Sequence, residues 1–210
     1  MKEDARQRRF ELAATLLLAI AAVATAWAAY QSARWHGEQA MAQSASIAAR
    51  VESTRAANVA NRQAEIDVAL FTQWVDAYAL DETELAAFYR RRFRAEFKPA
   101  FRAWVATGPL TNRDAPLSPF AMPQYKLAAT AKSDALEVQA AAFSARVGRF
   151  IQRADNYSLA VVLFAASLFF AGISTRLHSY TPKMIVLVLG YTLFLCSVIW
   201  ISTFPVSLSV

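Results

Sequence analysis

The sequence predicts an all-α fold: three transmembrane helices, with a long helical-hairpin extramembrane domain continuous with spans one and two. Three observations carry this. Apolar segments fall at about residues 10–30, 157–174 and 184–204, near the roughly 20 helical residues that cross a hydrocarbon core. Between the first and second lies a polar insert, 31–156, with no comparable run. The apolar residues of that insert recur at helical rather than strand spacing.

Residues 1–9 read as a short cytoplasmic N-terminus and 10–30 as span one. A cleaved signal peptide would share Arg8, Arg9, the apolar run and the small residues Ala24 and Ala26. Glu3, Asp4 and Glu11, with helical patterning that runs on past Tyr30, favour an uncleaved anchor. From there to about Leu80 the chain is rich in Ala, Gln, Glu and Arg, with Gly37 and no proline. Ile47, Val51, Val59, Ile66, Leu70, Trp74 and Tyr78 mark an apolar face, and Ala45, Ala49, Ala56 and Ala60 a ridge of small residues. At about 1.5 Å per residue, fifty residues extend roughly 75 Å, and a helix that long needs packing along its length.

Asp81-Glu82-Thr83-Glu84 reads as a variant capping box. It opens a helix with Leu85, Phe88, Tyr89, Phe93 and Phe97 on one side. Pro99 starts a short helix carrying Phe101, Trp104 and Val105. Residues 107–124, with four prolines and a Thr-Asn-Arg-Asp turn signal, form a loop. Helical spacing resumes at Leu127 and enters span two, 157–174, without a breaker. Residues 175–183 form a short loop, 184–204 span three and 205–210 a C-terminal tail. Trp27, Tyr30, Trp35 and Tyr157 are expected at the outer interface, and Ala22, Ala26, Ala29, Gly172, Gly190 and Ser197 at close helix contacts.

The net charge of +6 has a direction. Residues 1–11 hold four basic and three acidic side chains, the insert sixteen and thirteen, and the loop 175–183 adds Arg176 and Lys183. Basic residues beside short loops mark the cytoplasmic side, so both short segments are placed inside and the insert outside, in a bacterial cell the periplasm. Arg146, Arg149 and Arg153 oppose this, but long translocated domains largely escape the rule. No segment has the dense basic excess of a nucleic-acid binder.

Arg90, Arg91, Arg92 and Arg94, followed by Lys98 and Arg102, form the most conspicuous cluster. It could hold an anionic ligand or a partner. A solvated helix face offset by Glu84 and Glu96 is the favoured reading. His36 and Glu38, two apart on a helix, point to different faces and lack further ligands, so neither a metal nor a cofactor is expected. Glu65 and Asp67 diverge for the same reason. Cys196 reads as a small packing residue. Apart from Glu11, the spans contain no Asp, Glu, Lys, Arg or His, which weighs against ion-coupled transport. No phosphate loop or nucleophile elbow occurs, so no enzyme is expected.

Residues 24–31, ATAWAAYQ, and 170–176, FAGISTR, resemble an uncharacterised family of bacterial three-span inner-membrane proteins. The resemblance implies that location and supplies no activity or site residues. The expected function is a non-enzymatic interaction, scaffold or sensory subunit that meets a protein partner or ligand. The alternative is a homo-oligomeric channel with helical stalks as a vestibule. Besides the lipid bilayer, self-association through small-residue faces is expected.

Overall fold

The structure is a computed structural model that describes residues 2–109 and 111–207. The ends of the expected N-terminus and tail, the side chains of Lys2, Glu3, Asp4 and Ala5, and one position of the 107–124 loop lie outside the described residues. Five α-helices and no strand occur among those described: α1 Lys2–Ala79, α2 Thr83–Arg92, α3 Lys98–Ala106, α4 Ala128–Ser174 and α5 Tyr180–Ser202. α1, α4 and α5 each contain a stretch long and apolar enough to cross a membrane, which marks the chain as a membrane protein. α1 is one unbroken helix of 78 residues.

The chain divides into two compact units, Met1–Ser44 with Phe143–Val210, and Ala45–Ala142. In the first, α1 buries Phe10, Ala14, Leu17, Ala21, Ala28 and Trp35 against α4 and α5. The steps between these residues fit alternating intervals of four and three, the seam of helices that pack side by side at period 3.5. Small residues at the seam allow close backbones, which is how helices pack where lipid removes the hydrophobic drive between them. Cross-helix hydroxyls add specificity: Ser32 Oγ lies 2.9 Å from Ser158 Oγ, Ser167 Oγ donates to Gly190 O at 2.8 Å, and Tyr191 OH donates to Ala13 O at 2.8 Å. Gln31 accepts from Ser207 N at 3.0 Å and donates to its carbonyl at 3.3 Å, pinning the chain after α5.

Several expected positions differ. The packed alanines are Ala14, Ala21 and Ala28, whereas Ala22, Ala26 and Ala29 face outward. Trp27 and Tyr30 are exposed, but Trp35 is buried and stacks on Phe150 at 5.7 Å beneath Arg153. Tyr157 is buried too, donating to Pro205 O at 3.2 Å. Cys196 is exposed rather than packed. α5 begins at Tyr180, four residues before the apolar run. Pro182 permits this because the amides of a first helical turn have no partner to lose.

Gly190 lets α5 approach its neighbours closely. A Cβ there would lie 3.3 Å from Phe170 Cβ and 3.4 Å from both Leu17 Cδ2 and Ser167 O, whereas one at Gly172 meets nothing within 4 Å. Gly190→Leu is therefore expected to cost about 1–3 kcal/mol by overpacking. In detergent its thermal unfolding midpoint should fall while that of Gly172→Leu does not. Equal midpoints would show that this contact is dispensable.

In the second unit the α1 seam continues through Ser46, Ala49, Ser53, Ala56 and Ala60. Ser46 Oγ donates to Ala140 O at 3.1 Å, and Ser53 and Ser133 each bond the other's carbonyl at 3.0 Å. A serine reaches a neighbouring helix backbone only where the axes are close. The ridge of small residues is thus the packed face, and Ile47 (52% exposed), Val51 and Ile66 are not. The expected capping box is also replaced. Asp81 has φ 58°, the left-handed position after a helix end. Glu82 N bonds Ala77 O at 2.9 Å and Asp81 N bonds Tyr78 O at 3.2 Å. This pair of bonds closes α1 as a Schellman motif, and α2 starts without a side-chain cap.

α2 stops at Arg92, so Phe93 and Phe97 lie on a link rather than on one helix face. Both are buried all the same, with Phe101 and Trp104, against Phe71, Trp74, Phe120 and Tyr125. Leu85 and Phe88, expected beside them, are partly exposed. Trp104 Nε1 donates to Pro116 O at 2.7 Å, folding the 107–124 loop back onto the rings, and a 3₁₀ turn at Pro119–Ala121 inserts Phe120. Asn112 forms the signalled turn by accepting from Asp114 N at 3.0 Å.

Candidate functional site

The six clustered cations come from two short helices and the link between them. Arg90, Arg91 and Arg92 fill the last turn of α2, where positive charge suits the helix dipole. Lys98 and Arg102 lie one turn apart on α3, and Arg94 sits on the link. They do not act alike. Arg92 lies over the Phe88 ring, 3.4 Å from its centroid. Arg94 turns inward and is the hub of a polar cluster.

Its Nη1 donates to Asp67 Oδ2 at 2.8 Å and its Nη2 to Glu96. Tyr125 OH donates to the same Asp67 oxygen at 3.2 Å, and Glu96 Oε1 accepts from Ala128 N at 3.1 Å. Glu96 thereby caps one of the partnerless amides that open α4. The link thus grips α1 through Asp67 and α4 through Ala128. Asp67 is 0% exposed and its Oδ1 has no partner. Burial raises its carboxyl above the usual range against the opposing Arg94 charge. Tyr125 is pushed up to about 12, first by burial and then by the Asp67 carboxylate.

The phenol has a definite consequence at alkaline pH. A folded pKa above the ordinary 10 gives stability that is complete below pH 10 and lost as pH rises toward about 12. Tyr125→Phe should remove this alkaline loss from unfolding curves of the extramembrane unit. A component titrating near 10 in the tyrosinate difference between wild type and Tyr125→Phe would contradict it.

The other four cations, Arg90, Arg91, Lys98 and Arg102, stand around a concave surface of about 470 Å³ floored by Phe93, Phe101 and Val105. Among the described residues no carboxylate forms an ion pair with any of them. Of the acids expected to offset the cluster, Glu96 is committed to Arg94 and Ala128, and Glu84 makes no ion pair. A second hollow of about 450 Å³ shares Arg90, Phe101 and Val105 and is lined by Trp74, Tyr78 and Trp104.

Elsewhere the chemistry is sparse. His36 Nδ1 lies 3.2 Å from Gln39 Oε1 on its own helix, and no metal-ligating group of three or more His, Cys, Asp or Glu side chains occurs among the described residues. Sequence reasoning missed Asp67 as a structural centre, although its register was available: it lies seven residues beyond Ala60 on the seam that buries every third or fourth side chain. A carboxylate at such a position requires a cationic partner. No family model, curated protein or solved structure matches the chain.

Proposed function

We propose that this chain is a non-enzymatic subunit of the bacterial inner membrane, with its N-terminus in the cytoplasm, and that its helical domain in the periplasm receives a partner or ligand. The observation that supports this is the grip of the link on both long helices. Arg94 holds α1 and Glu96 holds the start of α4, so a load on α2 or α3 falls on side chains anchored in helices that also carry spans one and two. Sensing or scaffolding needs such a path, whereas catalysis would need converging acid, base or nucleophile.

Mass measurement in detergent followed by ion flux in liposomes tests the reading. A small assembly without flux is expected. Flux at a defined ring stoichiometry would overturn it in favour of a channel. For orientation, Leu117 is 99% exposed, and a Cys there in a Cys196→Ser background should react with a membrane-impermeant thiol reagent in spheroplasts. Labelling only after lysis would place the domain inside.

A further inference from the structure

We propose that the hollow between α2 and α3 binds a small amphiphilic anion, a phosphate or carboxylate joined to an aromatic or aliphatic body. This rests on the extramembrane unit being the receiving part of the molecule and adds what it receives. Four cations without carboxylate partners are held around one concavity, while Arg92 and Arg94 beside them have partners. Like charges gathered over an apolar floor repel one another and concentrate anions. Arginine answers a planar or tetrahedral oxyanion with paired donors.

The floor supplies the second half of the ligand. Phe101 and Val105 continue into the adjoining hollow, where the Trp74, Tyr78 and Trp104 rings line the wall. Arg90 belongs to both hollows, so a charged end and a flat apolar end would meet there. Each volume falls within the roughly 300–1,000 Å³ of small-molecule sites. An acidic helix would want cations spread along an exposed face, and these four converge on one concavity.

The full chain in phosphatidylcholine nanodiscs can be titrated by calorimetry with phenyl phosphate, inorganic phosphate and benzyl alcohol. Phenyl phosphate should bind once per chain and at least tenfold more tightly than either of the others. Arg90→Gln with Arg102→Gln should weaken it at least tenfold with thermal unfolding unchanged, and Arg50→Gln, many turns before Trp74 on α1, should not. Val105→Glu, at a half-exposed position, gives the same reading should the double variant unfold. Equal affinity for inorganic phosphate, or equal loss in Arg50→Gln, would overturn the site. Competition by phosphatidylglycerol vesicles would replace the soluble ligand by a lipid headgroup and overturn the proposal as stated. Failure to bind with the fold intact leaves the subunit reading standing, because flux and mass decide that separately.

Discussion

Replacing Arg94 by Met is expected to lower the stability of the extramembrane unit by about 3–5 kcal/mol, the cost of leaving a buried charge without its partner. Asp67 is fully buried on α1, and one of its oxygens already lacks a partner. Among the described residues Arg94 is the cation that pairs with it, and without Arg94 the carboxylate would keep the Tyr125 bond. Glu96 would also lose what holds it over the α4 amide. Asp67→Asn should cost less, because the amide carries no charge to desolvate and Arg94 keeps Glu96. A double change to Arg94→Met with Asp67→Leu should recover much of the loss, since buried ion pairs are often replaceable by apolar packing. Amide exchange over residues 93–106 reads the effect. A loss below about 0.5 kcal/mol in Arg94→Met would mean the site is solvated and the pair weak.

The same pair has a pH signature whose sign follows from the raised carboxyl. Below the ordinary value of 3.8 the group is protonated folded or unfolded and costs nothing. As pH rises from there toward the higher folded value, the unfolded chain ionises first and stability falls. Asp67→Asn should therefore lack that slope, with wild type gaining on the variant as pH drops.

Much of the architecture was legible because it depends on long, uninterrupted patterns. The three apolar runs, the breaker-free stretches on either side of them and the aromatic head all correspond to observed elements. What sequence misread depended on short-range choices. Asp81 could cap a following helix or sit in the left-handed turn after the preceding one, and only the tertiary course of α1 decides. Ile47 and Val51 look like a core face until one sees that Ser46 and Ser53 reach across to carbonyls or hydroxyls of the neighbouring helix. Such contacts need small neighbours more than large ones. The cationic cluster was visible as a cluster. That Arg94 belongs to Asp67, and that the remaining charges surround a hollow, depends on the link at residues 93–97 breaking the helix. Nothing in a run of arginines announces that.

Phe97→Ala should have the other large effect. The ring is 0% exposed and sits at the centre of the head, 4.9 Å from Phe93 in an edge contact and 5.1 Å from Phe120 with planes 15° apart. It also meets Tyr125 edge-on at 5.9 Å, so the aromatic core borders the Asp67 cluster directly. Removing a buried phenyl ring costs about 3–5 kcal/mol through lost transfer energy and the cavity left behind. Its neighbours come from α1, from α3 by way of Phe101 and from the 3₁₀ turn, and the backbone at Phe97 also starts α3 by accepting from Phe101 N at 3.0 Å. These elements cannot all close inward together, which favours the upper part of that range. Phe88→Ala offers the control, because Phe88 is partly exposed and lies outside the buried ring cluster, against Arg92 and Tyr89. The two variants should separate by at least about 2 kcal/mol in denaturant unfolding, and Phe97→Ala should also bring the Tyr125 titration down by admitting water. Equal losses in the two would mean that the rings are held by the loop and not by one another.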